Sequence, residues 1–215
     1  RGVPPPDARH HQRPDDVHVL DSGSTDRTCE IARAMGATVH VNPFQSFGQQ
    51  RNWAIDNIPC KHAWHFHLDA DERFLSPLVT EMFGEIGPDG TRSRFDAYHV
   101  PSKLIFMDRW IRYSAQYPTY QVRLFHRDRC RFTDFGHGQR EVCRRTGRLK
   151  SPYVHHNFSK GLNEWLHKHN RYSDLEAAKG VEVRHHQRPA LRELRGQDST
   201  QTRRDVARSS STTSE

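Results

Sequence analysis

The segments between residues 17 and 179 predict an α/β domain built on a mostly parallel sheet with helices on both faces. Three observations predict it. Short apolar segments alternate with segments of helical spacing, turn-forming residues separate them, and acidic residues follow two of the apolar segments. Ligands of such sheets bind beyond the carboxyl ends of the strands. We therefore expect functional residues at those two acidic positions.

The first half of this region reads as strand and helix in strict alternation. Gly36 ends the first helix and Ser76-Pro77 begins the third. Helical spacing of Phe47, Trp53 and Ala54 defines the second helix. The expected strands span 17–20, 38–41 and 62–68, and the expected helices span 27–35, 47–57 and 76–86.

The second half contains apolar stretches that are joined by loops instead of helices. They predict strands, and a final segment with leucine and aromatic residues at related positions predicts a closing helix. The expected strands span 97–103, 111–113, 120–126 and 150–156, and the expected helix spans 162–178.

Both ends of the chain are polar and rich in Arg, Pro or Ser. Residues 1–16 and 180–215 offer no hydrophobic face, and the hexapeptide RHHQRP occurs in both, at 9–14 and 184–189. Segments that cannot bury apolar surface do not offset the entropy of ordering. We therefore expect two disordered tails around one folded domain at 17–179.

The 215-residue chain is basic, with a formal net charge of +7. This balance favours an anionic partner, which is a nucleic acid, an anionic lipid or a phosphorylated small molecule. Part of the excess lies in the tails, and no nucleic-acid-reading motif accompanies it. We therefore expect no nucleic-acid partner. No apolar run approaches the roughly 18 residues of a membrane span, so a soluble chain is expected.

The cysteines and histidines show no metal-binding motif. Wide spacing of the four cysteines fits reduced thiols in a cytosolic protein, with a disulfide as the alternative. His65 with His67, and His155 with His156, are close in sequence, but no H-E-x-x-H or Cys/His ligand spacing appears. We interpret the sixteen histidines as compositional. The four cysteines are Cys29, Cys60, Cys130 and Cys143.

An acidic motif follows the third predicted strand. Asp69, Asp71 and Glu72 place three carboxylates within four residues, and these repel one another unless a cation or hydrogen-bond donors lie between them. Mg²⁺ and Mn²⁺ bind such oxygens and bridge to substrate phosphates. Asp69 and Asp71 can point to the same side of an extended backbone. The alternative is a solvated acidic turn that caps the next helix.

A second polar motif, DSGSTDRT, follows the first predicted strand. Its Asp21 either faces a ligand at the edge of the sheet or, with its neighbours, caps the helix that begins at Arg27.

The segments VLDSGSTDRTCEIARAMGA, FGQQRNWAI and HLDADE, in this order, resemble family 2 glycosyltransferases with the nucleotide-binding GT-A fold. Later segments are similar to the branch that contains lipopolysaccharide core β-1,4-glucosyltransferases. These segments are RWIR, YP, VRLF, HGQRE, GRL and KHNRYS. The resemblance covers about residues 17–179.

The resemblance implies a role for each matched residue. Asp21 would hydrogen-bond the nucleotide base, and Arg51 would lie near the nucleotide. Asp69 and Asp71 would form the D-x-D pair that holds Mg²⁺ or Mn²⁺, with Asp71 the more direct ligand. Glu141 would be the catalytic carboxylate.

Other residues have a functional and a structural interpretation. Glu141 is alternatively a surface carboxylate paired with Arg140 or Arg144. Three cationic side chains are either phosphate partners or ordinary surface charges: Arg123, Lys168 and Arg171. Two aromatic side chains either stack on an acceptor sugar or pack in the core: Trp110 and Tyr117.

The resemblance implies an inverting, metal-dependent transferase. It would move a sugar from a nucleotide-diphospho-sugar, most simply UDP-linked, to a glycolipid or cell-surface polysaccharide. A cytoplasmic location with peripheral contact at the inner face of the plasma membrane is implied for the full-length parent. Residues 1–16 do not resemble the family's first strand and its following loop, so that strand is expected to be missing. The alternative is a non-catalytic basic protein that binds polyanions.

Overall fold

The computed structural model describes residues 15–113, 117–135, 138–174 and 176–177. The chain divides into two compact units, Arg1–Trp165 and Leu166–Glu215. The predicted tails lie almost wholly outside the described residues, as does His137 of the HGQRE segment. Asp15 and Asp16 are among the described residues, and both contact the loop at residues 61–62. The Lys61 backbone N–H donates to Asp16 Oδ2 over 2.6 Å, and His62 Nε2 lies 3.1 Å from Asp15 Oδ1.

The first unit contains three labelled helices and eleven strands among its described residues. The helices are α1 (Thr28–Ala34), α2 (Phe47–Asn57) and α3 (Ser76–Ile86). The strands are β1 (His18–Asp21), β2 (Thr38–Val41), β3 (Trp64–Phe66), β4 (Glu72–Arg73), β5 (Ala97–Phe106), β6 (Arg109–Trp110), β7 (Thr119–His126), β8 (Cys130–Phe135), β9 (Gly138–Cys143), β10 (Thr146–Arg148) and β11 (Tyr153–His155). Residues 162–174 are also helical.

Local sequence signals explain where the helices begin and end. Ser46 accepts a hydrogen bond from the Gln49 N–H at the start of α2. Pro77 lies in the first turn of α3, and Gly87, with φ of 77°, ends it. The predicted bounds of α2 and α3 are confirmed, and α1 is one residue shorter at each end than predicted.

The main sheet is mixed, so the expectation of a mostly parallel sheet is not confirmed. Its hydrogen-bonded order is β3-β7-β5-β11-β4, with β10 and β6 also on β5. Strands β10 and β11 run parallel to β5, whereas the β3–β7, β5–β7, β5–β6 and β4–β11 pairs are antiparallel. β1 and β2 pair in parallel in a separate two-stranded sheet. Alternation along the first half predicted β1 and β2 correctly, but it did not reveal that β3 pairs with the second-half strand β7.

A β-hairpin, β8–β9, is absent from the sequence-based assignment. Its strands pair from Cys130↔Cys143 to Phe135↔Gly138. Cys130 and Cys143 form a disulfide at the open end, so the expectation of reduced thiols is wrong for this pair. The prediction of a strand at 111–113 is also wrong, because these described residues form no strand. The chain instead turns at Met107 and Asp108, which both have positive φ, and forms β6 immediately afterwards.

Two hydrophobic clusters hold these elements together. One packs α3 against the main sheet. The second packs Ile55 of α2 with Phe125 of β7 and Phe132 of β8. The second cluster therefore fixes α2 against both the main sheet and the β8–β9 hairpin. No helix in the described ranges is long and apolar enough to cross a membrane.

Candidate functional site

The acidic motif directly after β3 is organised around a buried arginine. Arg123 Nη2 on β7 donates to Asp69 Oδ2 over 2.9 Å and also contacts Glu72 Oε1. Only 2% of the Arg123 side chain is exposed, and the Glu72 side chain is fully buried. The Asp69 N–H donates to Glu72 Oε2 over 3.0 Å. This motif is therefore a folded, charge-paired turn, and the surface interpretation of Arg123 is wrong.

The electrostatics of this turn follow from burial and from the two nearby guanidinium groups. Burial opposes ionisation of Asp69, but the charges of Arg123 and Arg51 outweigh it and lower the pKa of this carboxyl. Burial raises the pKa of Glu72, although Arg123 opposes that rise. Asp69 is therefore the more acidic of the two carboxyls that contact Arg123.

Asp71 faces a different neighbour. His155 Nε2 on β11 lies 3.4 Å from Asp71 Oδ2, and the His156 N–H donates to the Asp71 carbonyl over 2.8 Å. Burial opposes the charge of Asp71, but the hydrogen bond and charge of His155 outweigh it and lower the pKa. Asp71 is partly exposed and ionised, as a metal ligand requires.

Arg51 on α2 joins the acidic motif to the β8–β9 hairpin. Its Nε donates to Gln139 Oε1 over 2.7 Å, and its Nη2 donates to Asp69 Oδ1 over 3.2 Å. Gln139 and Glu141 are two residues apart on β9, so their side chains lie on the same face. The strand that carries Glu141 is thereby tied to the motif that carries Asp69 and Asp71.

Glu141 is partly exposed, and its carboxylate lies beside a histidine of the main sheet. His99 Nε2 on β5 lies 3.4 Å from Glu141 Oε1. The sequence offered Arg140 and Arg144 as partners, whereas the structure places a titratable imidazole there. An imidazole at this distance can orient the carboxylate.

Asp21 orders the loop that follows β1. Its Oδ2 accepts from the N–H groups of Gly23 and Ser24, both over 2.8 Å, and its Oδ1 accepts from Ser24 Oγ over 2.5 Å. These hydrogen bonds, led by the Ser24 hydroxyl, lower the pKa of Asp21. Just before α1, Asp26 accepts from the Thr28 N–H over 2.9 Å, and the N-cap position itself is Arg27, which makes no side-chain capping hydrogen bond.

Gln50, the neighbour of Arg51 on α2, links the loops after β1 and β2. Its Nε2 donates to Ser22 Oγ over 3.1 Å and to the Asn42 carbonyl over 3.2 Å, and its Oε1 accepts from Asn42 Nδ2 over 2.7 Å. Adjacent residues of one helix thus hold the Asp21 loop and the acidic motif. The structure thereby connects Asp21, Arg51, Asp69, Asp71 and Glu141 through α2 and the strands that pack against it.

A divalent cation fits this site through Asp71 more readily than through Asp69. Both Asp69 oxygens accept from guanidinium groups, whereas within the described ranges the Asp71 carboxylate forms an ion pair with His155 and with no arginine or lysine. Within the described ranges, the acidic motif does not bring three ligand atoms within 4.8 Å of one another. Mg²⁺ commonly takes one or two carboxylates and completes its shell with water and substrate phosphates, and this donor set matches that pattern.

The remaining residues named from the sequence fall into separate places. Trp110 and Tyr117 pack edge to face, with ring centroids 5.1 Å apart, and Lys103 Nζ lies 4.6 Å from the Trp110 centroid. Lys168 and Arg171 belong to the second unit. The sequence did not indicate the contacts of Gln139 and His99, because single polar residues on strands carry no local pattern, and it singled out His155 only as one of two adjacent histidines. These contacts become visible only when the strands are paired.

Comparison with known proteins gives a partial match. No protein-family model matches the chain. Over 95 residues, or 44% of this chain, it is 37% identical to a protein of Rickettsia bellii (strain RML369-C) named an uncharacterized glycosyltransferase. Proteins with that description from Rickettsia felis (strain ATCC VR-1525 / URRWXCal2) and Rickettsia prowazekii (strain Madrid E) are 36% and 35% identical over 95 residues.

The aligned residues cover 31%, 32% and 31% of these three relatives. The chain therefore spans about a third of the length of the curated relatives it matches, and over that part it is similar to proteins named glycosyltransferases.

Proposed function

We propose that this chain carries the donor site and the catalytic carboxylate of an inverting glycosyltransferase of family 2. The observation that carries the proposal is the double contact of Arg51. It holds Asp69 of the D-x-D motif and Gln139 of the strand that bears Glu141. Residues that are far apart in sequence, and to which the proposal assigns donor binding and catalysis, are thereby linked through Arg51. The partial similarity to proteins named glycosyltransferases supports the same class of reaction.

The donor in this proposal is a nucleotide-diphospho-sugar, most simply UDP-linked. The polar loop of Asp21 would receive the base, and Arg51 would lie beside the nucleotide. A buried, pre-oriented guanidinium costs little reorganisation when negative charge develops nearby. Arg123 already forms ion pairs with Asp69 and Glu72. We therefore assign it to stabilising the acidic motif and not to binding the donor phosphates.

Mg²⁺ or Mn²⁺ at Asp71 would supply positive charge that stabilises the leaving nucleoside diphosphate. Asp69 would orient the site through Arg51 and Arg123, and its carboxylate would join the metal only by giving up one of these contacts.

Glu141 is assigned the role of general base. A sugar hydroxyl is a weak nucleophile at neutral pH, and a carboxylate within hydrogen-bond distance can take its proton during attack on the anomeric carbon. The hydroxyl oxygen forms the new glycosidic bond while the bond to the diphosphate breaks on the opposite face, which inverts the anomeric centre. His99 is assigned the role of holding the Glu141 carboxylate in position.

The acceptor in this proposal is a glycolipid or a cell-surface polysaccharide, as in lipopolysaccharide core synthesis. The full-length parent would act in the cytoplasm, with peripheral contact at the inner face of the plasma membrane. These assignments rest on the resemblance of the HGQRE and KHNRYS segments to that branch of transferases.

Calorimetric titration with UDP, with and without Mn²⁺, tests the donor site. We expect binding that Mn²⁺ strengthens and a chelator reverses. ADP and GDP serve as matched nucleotides with the same diphosphate but different bases. A chain that binds heparin but none of the nucleotides would support the non-catalytic polyanion-binding alternative and would refute the donor site.

A further inference from the structure

A second group of metal-ligating side chains lies outside the proposed transferase site, at the start of β1. Within the described ranges, the structure brings together one carboxylate, one imidazole and one thiol whose ligand atoms all lie within 4.8 Å of one another. These residues are Asp16, His18 and Cys60. They come from two stretches of chain more than forty residues apart, so no local sequence motif predicts the cluster.

The ligand atoms are already held close together. His18 Nε2 lies 2.9 Å from Asp16 Oδ1, and the two side chains are only 14% and 11% exposed. The Lys61 N–H donates to Asp16 Oδ2 over 2.6 Å, which ties the carboxylate to the residue after Cys60. Zinc bonds of about 2.0–2.3 Å place the donors of a tetrahedral site within about 4 Å of one another. Little rearrangement is therefore needed for these donors to surround one ion.

A second imidazole supports the arrangement from outside. His18 Nδ1 lies 3.1 Å from His40 Nε2 of the neighbouring strand β2. Zinc binding would release the proton that His18 Nε2 shares with Asp16 Oδ1, and with the Nδ1–H donating to His40, Nε2 would offer its lone pair to the metal. Metal-ligating histidines usually donate their other ring N–H to such a partner, which fixes the tautomer and the ring orientation.

We propose that Asp16, His18 and Cys60 form a zinc site. A donor set of one sulfur, one nitrogen and one oxygen matches the borderline-soft Zn²⁺ ion better than Mg²⁺ or Mn²⁺, which prefer oxygen ligands. Aspartate and thiolate together neutralise the charge of the ion. Three protein ligands leave a further position for water, and His40 acts as the positioning residue. The site joins the start of β1 to the loop between α2 and β3.

Titration of the full chain with Co²⁺, followed by displacement with Zn²⁺, tests the site. We expect a thiolate-to-cobalt charge-transfer band that reaches its maximum at one equivalent and disappears when Zn²⁺ is added. Cys60→Ser should abolish the band, and Cys29→Ser, which changes the other free cysteine, should preserve it. The band separates this site from weak binding by histidine-rich segments, which contain no thiol.

Two further variants distinguish a metal site from a hydrogen-bonded network. His40→Leu should weaken Co²⁺ binding about 10–100-fold while keeping the band at saturation. Asp71→Ala should leave the band unchanged, so failure of the proposed transferase site would not affect this result. Zn²⁺ should also raise the unfolding temperature of the wild type but not that of Cys60→Ser. A missing charge-transfer band, or a band that survives Cys60→Ser, would overturn the zinc site and leave the cluster as a hydrogen-bonded network.

Discussion

The Nη2 atom of Arg123 lies 2.9 Å from Asp69 Oδ2 and also contacts the buried carboxylate of Glu72. One side chain of β7 thereby holds both ends of the acidic motif. The D-x-D segment is positioned by an internal charge pair before any ligand binds. The same arrangement makes the motif vulnerable, because loss of the arginine leaves a carboxylate buried without its cation.

Arg123→Met should therefore destabilise the fold strongly. Breaking a buried ion pair by removing one partner typically costs about 3–5 kcal/mol, and the measurement is the free energy of unfolding in urea. Adding Glu72→Gln should recover part of the loss, since it removes the unpaired charge. If the two substitutions were simply additive, the buried pair would not be the source of the destabilisation.

Asp71→Ala should remove the effect of Mn²⁺ on UDP binding. The substitution takes away the carboxylate oxygen that is not engaged by an arginine, while the Asp69–Arg123 pair remains. Calorimetry should show wild-type affinity in chelator and no gain on adding Mn²⁺. His155→Gln is the matched control, because it removes the neighbour of Asp71 and keeps the ligand. Persistent Mn²⁺ enhancement in Asp71→Ala would place the metal elsewhere.

The first half of the fold was largely predictable because its signals are local. A serine cap fixes the start of α2, and glycine ends α3, and both helices have the predicted bounds. Apolar segments beside turn residues marked β1 and β2. Strand pairing is not local. The sequence could not show that Trp64 of β3 lies opposite His126 of β7, or that β5 lies between antiparallel β7 and parallel β11, which makes the sheet mixed.

The sequence predicted those residues of the candidate site that lie in a motif with several charges. It did not predict the single polar residues that contact them. Asp69 and Asp71 stand out because adjacent carboxylates need compensation. His99 and Gln139 are single polar residues on strands, and their roles arise only from their contacts with Glu141 and Arg51. The β8–β9 hairpin was missed because its strands are mostly polar: only Cys130 and Phe132 of β8 are buried, and no residue of β9 is fully buried.

Gly48→Ala should destabilise the packing of α2 on the hairpin. A Cβ at Gly48 would lie 2.8 Å from Asp134 Oδ1 and 3.0 Å from the Thr133 carbonyl carbon. Overpacking of this kind typically costs about 1–3 kcal/mol, which exceeds the helix propensity that alanine adds. Gly84→Ala is the control, because nothing lies within 4 Å of its Cβ. It should stabilise α3 by about 0.5–1 kcal/mol. Equal effects on the free energy of unfolding would contradict the close approach at Gly48.

Asp21→Asn should change how stability depends on pH. Hydrogen bonds lower the pKa of Asp21 in the folded chain below the ordinary value of 3.8. Its contribution is therefore fully present above that value and is lost as the pH falls through the folded pKa. The wild type should unfold at a higher temperature than Asp21→Asn at neutral pH, and the difference should shrink in acid. Asp56→Asn, at an exposed pair with Arg131, should show little difference at any pH.

Glu141→Gln tests the assigned chemistry. A general base acts on the acceptor hydroxyl, so the amide should leave UDP affinity unchanged and lower turnover by about 10²–10⁴-fold. The assay needs the full-length parent with its donor and acceptor, with kcat and donor affinity measured separately. His99→Gln should lower turnover less than Glu141→Gln and leave donor affinity unchanged, because His99 Nε2 lies 3.4 Å from Glu141 Oε1 and orients the carboxylate without taking the proton.

Asp134→Asn is the matched carboxylate control for that assay. Asp134 accepts from Ser46 Oγ over 2.8 Å and from the Gly48 N–H over 3.0 Å, so it holds the start of α2. Its substitution should lower stability and leave turnover per folded molecule near that of the wild type. Full turnover in Glu141→Gln together with a large loss in Asp134→Asn would exchange the two assignments. A loss of donor affinity in Glu141→Gln at unchanged kcat would move Glu141 into the donor site, because a base for the acceptor has no contact with the nucleotide to lose.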